Sequence, residues 1–171
     1  MTAAAKARLT AIIVAAGGGT RMGGEVEKQF RLFARKLVLA HSVEAFLQHP
    51  ATERVVVVAA ETRMDTAKAA IGDLAGDERV LITAGGDRRQ DSVRAGLALA
   101  AYDAALVAIH DAARPLLPQG IITGLVAAME ESGAHGIMAA LPVLPITDTL
   151  KSVKDDRVTG TTPRAGLGRA Q

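Results

Sequence analysis

A chain of 171 residues with 49% apolar side chains can bury one substantial core, and Ala, Val, Leu and Ile must fill it because only three Phe and one Tyr are present. Twenty basic against eighteen acidic side chains leave a formal charge of +2, too little for a nucleic-acid surface, and so few aromatic residues offer no base-stacking platform. With no cysteine, disulfides, thiolate chemistry and zinc–cysteine sites are excluded. No apolar run approaches the roughly 18–20 residues of a membrane span, and Met1 to Arg8 has no signal-peptide apolar stretch, so a cytoplasmic protein without membrane or nucleic-acid partners is expected.

In chain order, Leu9 to Ala16 reads as a fully buried strand running into a loop with five glycines between positions 17 and 24. Glycine allows positive φ and close approach of bare N–H groups, and Arg21 and Lys28 add fixed charge. The loop is either a phosphate cradle or a flexible turn carrying two solvated cations. It matches neither the P-loop nor the dinucleotide-binding glycine spacing.

Val38 to Gln48 is predicted helical from the spacing of Leu39, Val43, Phe46 and Leu47. Arg54 to Ala60 is a second buried strand, Thr62 to Ile71 a surface helix and Val80 to Thr83 a short third strand. A helix over Gln90 to Ala101 is expected to bury Val93, Leu97 and Ala100. Leu106 to Ile109 is a fourth strand, Gln119 to Ser132 a helix with Ile121, Ile122, Leu125, Val126 and Met129 inward, and Ile137 to Leu141 a fifth strand. This alternation predicts an α/β fold with a mostly parallel sheet covered on both faces. From Pro142 the pattern turns β-leaning: Thr149 to Val153 and Arg157 to Thr161, around Asp155-Asp156, predict an arm or hairpin outside the sheet. Gly166 to Gln171 suggests no closing element.

Three loops follow strand ends, where open α/β sheets bind ligands. Beside the glycine loop stands Gly85-Gly86-Asp87-Arg88-Arg89-Gln90-Asp91-Ser92, in which Ser92 either hydrogen-bonds a base or, like Asp91, caps the next helix. The third is His110-Asp111-Ala112-Ala113-Arg114, in which Asp111 is either a ligand of Mg²⁺ or a turn residue bonding backbone amides, and His110 reads as structural. Glycine amides, cations and a carboxylate, without a thiol or a Ser–His pair, suit phosphoryl-type transfer, where positioning and charge neutralisation carry catalysis. A phosphate monoester nucleophile is already largely ionised at neutral pH and needs no general base.

Ala15-Ala16-Gly17-x-Gly19-x-Arg21-Met22, Lys28-Gln29-Phe30, His41-Ser42, Gly85-Gly86-Asp87-x-Arg89-x-Asp91-Ser92-Val93, His110-Asp111-Ala112-Ala113-Arg114-Pro115 and Asp148-Thr149 occur in that order. Together they resemble the 2-C-methyl-D-erythritol 4-phosphate cytidylyltransferase family of non-mevalonate isoprenoid synthesis, over nearly the whole chain from Leu9. The resemblance implies a Rossmann-like sheet of nucleotidyltransferase type with a β-arm for dimerisation. It implies transfer of CMP from CTP to methylerythritol 4-phosphate, with release of pyrophosphate and a divalent cation, Mg²⁺, as cofactor. Arg21 and Lys28 would then neutralise the triphosphate and the transition state. Ala15, Ala16, Gly17, Gly19, Gly85, Gly86, Asp87, Ser92, Asp111 and Ala112 would hold CTP, with Asp111 beside the metal. Arg114 and Thr149 would hold the sugar-alcohol phosphate. The stretch 144–164 would interlock two subunits of a homodimer, with Arg164 reaching into the partner's site.

The chain departs from the family pattern in several places. Glu27 stands where proline usually precedes the lysine, Ala34-Arg35-Lys36-Leu37 replaces a turn bearing glycine and proline, and Gly168 replaces a tryptophan. Family members continue past residue 171, and some carry a fused cyclodiphosphate synthase domain, so a single domain truncated at its C-terminus, with weak or no turnover, is expected. Two alternatives remain: ribitol 5-phosphate cytidylyltransferase, which shares the CTP side of such a site, and a non-catalytic CTP-binding fragment.

Overall fold

The computed structural model describes residues 8–17, 26–101, 104–132, 136 and 138–170. Leu9–Val14 (β1) is apolar on both faces and is almost completely buried; Thr10, its polar residue, accepts a hydrogen bond from the Ala101 N–H at 3.3 Å. A 3-10 turn, Lys28–Phe30, leads to a small hairpin of Leu32–Phe33 (β2) and Lys36–Leu37 (β3). Its turn places Ala34 and Arg35 at φ 44° and 71°, the left-handed region that a glycine would occupy without strain. Val38–Leu47 (α1) follows, then Thr52–Ala59 (β4), whose Val55 to Ala59 run is fully buried. A 3-10 turn, Glu61–Arg63, opens Met64–Ile71 (α2), and Val80–Ala84 (β5) precedes Arg89–Leu97 (α3). Leu106–Asp111 (β6) and Gln119–Ser132 (α4) complete the α/β part.

The sheet runs β5-β4-β1-β6, and every neighbouring pair is parallel. The chain steps from β1 outward through β4 to β5, then crosses back to place β6 on the other side of β1. The strand order therefore reverses at β1, and the crevice outside the carboxyl ends of β1 and β6 is the switch point at which such sheets bind ligands. One face of the sheet, with Ala11 and Ile13 of β1 and Val55 and Val57 of β4, packs on Leu39 and Phe46 of α1, Ala67 and Ile71 of α2 and Ile122 of α4. The opposite face presents Ile12, Val56 and Val58, packed with Val14 and Leu99.

Here α3 departs from expectation. It spans Arg89–Leu97, not Gln90 to Ala101, and its buried residues are Ser92 and Gly96, whereas Leu97 is 45% exposed. The helix lies so close to the sheet that a Cβ on Gly96 would stand 2.5 Å from Ile12 Cγ2 and 3.1 Å from Val58 Cγ2. Small residues face the sheet because large ones do not fit. On α4, Ile122 is buried but Ile121 is 39% exposed.

A second departure is the fifth strand. Ile137 lies outside the described residues, and Met138 to Leu141 form no strand. Met138 and Leu141 are exposed, so no packing holds them extended against the sheet. Instead, Val143–Pro145 (β7) pairs antiparallel with Gly168–Ala170 (β10), so the chain's last described residues do form a strand. Between them, Leu150–Lys154 (β8) and Arg157–Thr162 (β9) make the expected hairpin outside the main sheet. Its turn residues Asp155 and Asp156 sit at φ 49° and 59°, as a two-residue turn with two positive φ angles requires.

Gly96→Ala tests the close approach of α3. Overpacking against Ile12 outweighs the gain in helix propensity, and stability falls by about 1–2 kcal/mol in a denaturant titration. An unchanged or raised midpoint would contradict that packing.

Candidate active site

A cleft of about 370 Å³ opens at the switch point. Three backbone hydrogen bonds build it by continuing the parallel ladder just past the strand ends. Ala15 N–H donates to Val58 O at 2.7 Å, Ala112 N–H to Val14 O at 3.1 Å, and Gly85 N–H to Ala59 O at 2.7 Å. Ala15, Ala16 and Gly17, then Gly86 and Asp87, then Asp111 and Ala112 thereby reach one wall-to-wall space, with Lys28 and Ser92 also on its lining. Gly85 lies just beneath: a Cβ there would stand 2.6 Å from Ser92 Oγ and 2.9 Å from Ala16 Cβ. Glycine is needed at this position for space.

Ser92 resolves one open alternative. No side chain caps α3 at Arg88; Ser92 Oγ donates back to Gly86 O at 3.3 Å, and Asp91 pairs with Arg88 at 2.9 Å. Neither residue is a helix cap. Ser92 is fully buried and fixes the Gly86 carbonyl at the cleft.

Asp111 is held from both sides. Arg89 Nη2 lies 2.9 Å from Oδ1, and Arg114 Nε 3.3 Å from Oδ2. Partial burial pushes the carboxyl pKa up, but the Arg89 hydrogen bond and charge, with Arg114 and His110, outweigh it and leave the pKa below the usual aspartate value. His110 is shifted down, chiefly by burial. Its ring packs edge-on to Phe46 at 5.5 Å, and its Nε2 faces Arg114 O at 3.0 Å, which in the neutral ring puts the proton on Nε2. His110 thus supports the turn from within the fold. From beneath, Ser42 Oγ of α1 donates to Ala112 O at 3.3 Å.

Among the described residues no three His, Cys, Asp or Glu side chains cluster as a metal cage. Among the described residues, Asp87 and Asp111 are the carboxylates on the cleft lining. That donor set fits Mg²⁺, which takes one or two protein carboxylates and fills its remaining positions with phosphate oxygens and water.

The other sequence-predicted residues fall elsewhere. Gly19 and Arg21 lie outside the described residues. The Arg114 side chain meets the site through its ion pair with Asp111. Thr149 and Arg164 are exposed and are not among the residues that line the cleft, and Arg164 Nη1 donates to Thr147 O of its own chain. Two residues without an assigned role prove central. Arg89 holds Asp111, and Gln29, 4% exposed, donates its amide to Ala15 O at 3.0 Å and Gly17 O at 3.2 Å. The visible signal for Gln29 was its place directly after Lys28; that it is buried beneath the loop had no sequence mark.

The family model of 2-C-methyl-D-erythritol 4-phosphate cytidylyltransferase (IspD) matches residues 9–171. The chain belongs to this family. It is 46% identical over 167 residues to a bifunctional enzyme IspD/IspF of Rhizorhabdus wittichii, an alignment covering 97% of this chain and 41% of that protein. It is 38% identical over 162 residues to a 2-C-methyl-D-erythritol 4-phosphate cytidylyltransferase of Syntrophotalea carbinolica, covering 94% of this chain and 67% of that protein. Among solved structures, a 4-diphosphocytidyl-2C-methyl-D-erythritol synthase superposes with a TM-score of 0.74 at 28% identity, covering 98% of this chain and 73% of that one. The chain thus spans less than half of the bifunctional relative and about two thirds of the monofunctional one. The IspD match runs through all three loops that meet at the cleft.

Because the folded-state pKa of Asp111 is depressed, its ion pairs contribute stability above the unfolded pKa and lose it as pH falls through the folded one. In a carbon-13 carboxyl titration, Asp111 should show a midpoint below the usual aspartate value, and Arg89→Ala should move it up. A midpoint unmoved by Arg89→Ala would contradict the assigned pairing.

Proposed function

We propose that the chain binds CTP in the switch-point cleft and transfers CMP to 2-C-methyl-D-erythritol 4-phosphate, releasing pyrophosphate. The observation that carries this reading is the convergence of three backbone loops and Lys28 on one cleft, in a chain of this family. The Ala15–Gly17 and Gly85–Asp87 backbones suit recognition of cytosine and ribose by shape and peptide hydrogen bonds. Ser92 keeps the second of these loops in place.

Lys28 and, by the family resemblance, Arg21 neutralise the triphosphate and the charge that builds at the α-phosphorus. In that step an oxygen of the acceptor phosphate forms the new P–O bond as the bond to pyrophosphate breaks. The acceptor phosphate is already largely ionised at neutral pH, so no side chain must take its proton. When bound, Mg²⁺ would screen the triphosphate charge, and Asp111 is the residue we assign to hold it. Arg89 and Arg114 set the orientation of that carboxylate until then. Gly17 and Ala112 sit on the cleft lining at the ends of β1 and β6, and Gly19 continues the first loop.

Arg114 and Thr149 are assigned to the acceptor phosphate, and the β8–β9 hairpin to the contact with a second copy. Its exposed Val153 and Val158 support the latter. In such a dimer Arg164 would turn from Thr147 toward the partner's site. No helix among the described residues is long and apolar enough to cross a membrane.

The test is pyrophosphate release from CTP and Mg²⁺ with methylerythritol 4-phosphate, with ribitol 5-phosphate, and with neither. Release should depend on the first acceptor, and Lys28→Ala or Arg21→Ala should lower the rate about 10²–10³-fold. Release with ribitol 5-phosphate alone would move the assignment to that acceptor. CTP binding without release from either would reduce the role to nucleotide binding.

A further inference from the structure

Glu27 sits directly before Lys28, where a free carboxylate would repel a bound triphosphate. Its carboxylate is not free. Oε2 accepts a hydrogen bond from Gln29 Nε2 at 2.7 Å, and Oε1 lies 3.5 Å from Arg63 Nε. The Glu27 side chain is only 21% exposed, and Arg63 comes from the 3-10 turn that opens α2, on a different segment of the fold.

The same Gln29 amide nitrogen also faces Ala15 O and Gly17 O. An amide NH₂ has two hydrogens, so its three acceptors must share them. A carboxylate among the three makes that hydrogen bond charge-assisted and fixes which way the buried amide points. With the nitrogen so oriented, the carbonyls of Ala15 and Gly17 are drawn toward Gln29. In a trans peptide the N–H lies opposite the C=O, so the Ala16 N–H points away from Gln29. Ala16 lines the cleft.

We propose that Glu27 is a positioning residue: it orients Gln29, and Gln29 sets the Ala15–Gly17 segment that opens the glycine loop for its ligand. The functional part of this inference rests on the reading that the loop binds the nucleotide. Its structural part does not. The sign of one substitution separates positioning from simple charge. If Glu27 acted only as a negative charge near the triphosphate, its removal would tighten nucleotide binding. As a positioning residue, its removal weakens it.

Two measurements on the same variants carry the test: amide hydrogen exchange at residues 15–17 without ligand, and calorimetric titration with CTP and Mg²⁺. Glu27→Ala should speed exchange at Ala16 and Gly17 and weaken CTP binding about tenfold, the scale of a lost charge-assisted hydrogen bond. Glu27→Gln keeps an acceptor for Gln29 and should recover most of both. Arg63→Met should change each less than about threefold, since the half-exposed ion pair is weak. If turnover is present, the loss falls on the KM for CTP and spares kcat, unlike Lys28→Ala. Unchanged or tighter CTP binding in Glu27→Ala, or unchanged exchange at residues 15–17, would overturn the proposal. If the unsubstituted chain does not bind CTP, the proposed function fails, while the exchange measurement still decides whether Glu27 sets the loop.

Discussion

Three peptide hydrogen bonds at the ends of β1, β5 and β6 are the constraint on which the cleft depends. Each extends the parallel ladder past a strand, so the Ala15, Gly85 and Ala112 segments leave the sheet in fixed directions. A parallel sheet supplies this only where it is rigid, and β1 and β4 are rigid because their valines and isoleucines are buried on both faces. The small residues of α3 matter for the same reason. Gly96 brings the helix against Ile12 and Val58, and Ser92, on the same side, then meets Gly86 at the cleft. Packing and site are one arrangement.

The site uses charge sparingly. Lys28, Arg88 and Arg89 reach the lining, but Arg88 is paired with Asp91 and Arg89 with Asp111. The paired guanidiniums hold loops in shape, and among the described residues on the lining Lys28 is the cation outside those two pairs. Asp111, gripped by two arginines, stays ionised, so a cation that displaces one of them meets a carboxylate without a proton to expel.

Much of this was legible in the sequence. Continuous apolar runs such as Val55 to Val58 declared buried strands, and glycines at strand ends marked where the backbone must approach something closely. The failures have physical causes. Val93 and Leu97 look like the core side of a helix by period alone, but the helix is too near the sheet to seat them and turns Ser92 and Gly96 inward. Ile137 to Leu141 has strand-like composition, but its described part, Met138 to Leu141, forms no strand. Gln29 and Glu27 were readable only as neighbours of Lys28, because their role comes from contacts with Ala15, Gly17 and Arg63, which the fold brings from elsewhere.

The central claim is that the switch-point cleft is the nucleotide site. A titration of the nitrogen-15-labelled chain with CTP and Mg²⁺, followed by amide chemical shifts, addresses it most directly. The account predicts that the largest shifts fall at residues 15–17, 85–87 and 111–113 and saturate together with one affinity. Shifts concentrated on the β8–β9 hairpin, or none at concentrations where relatives of this family turn over, would contradict it.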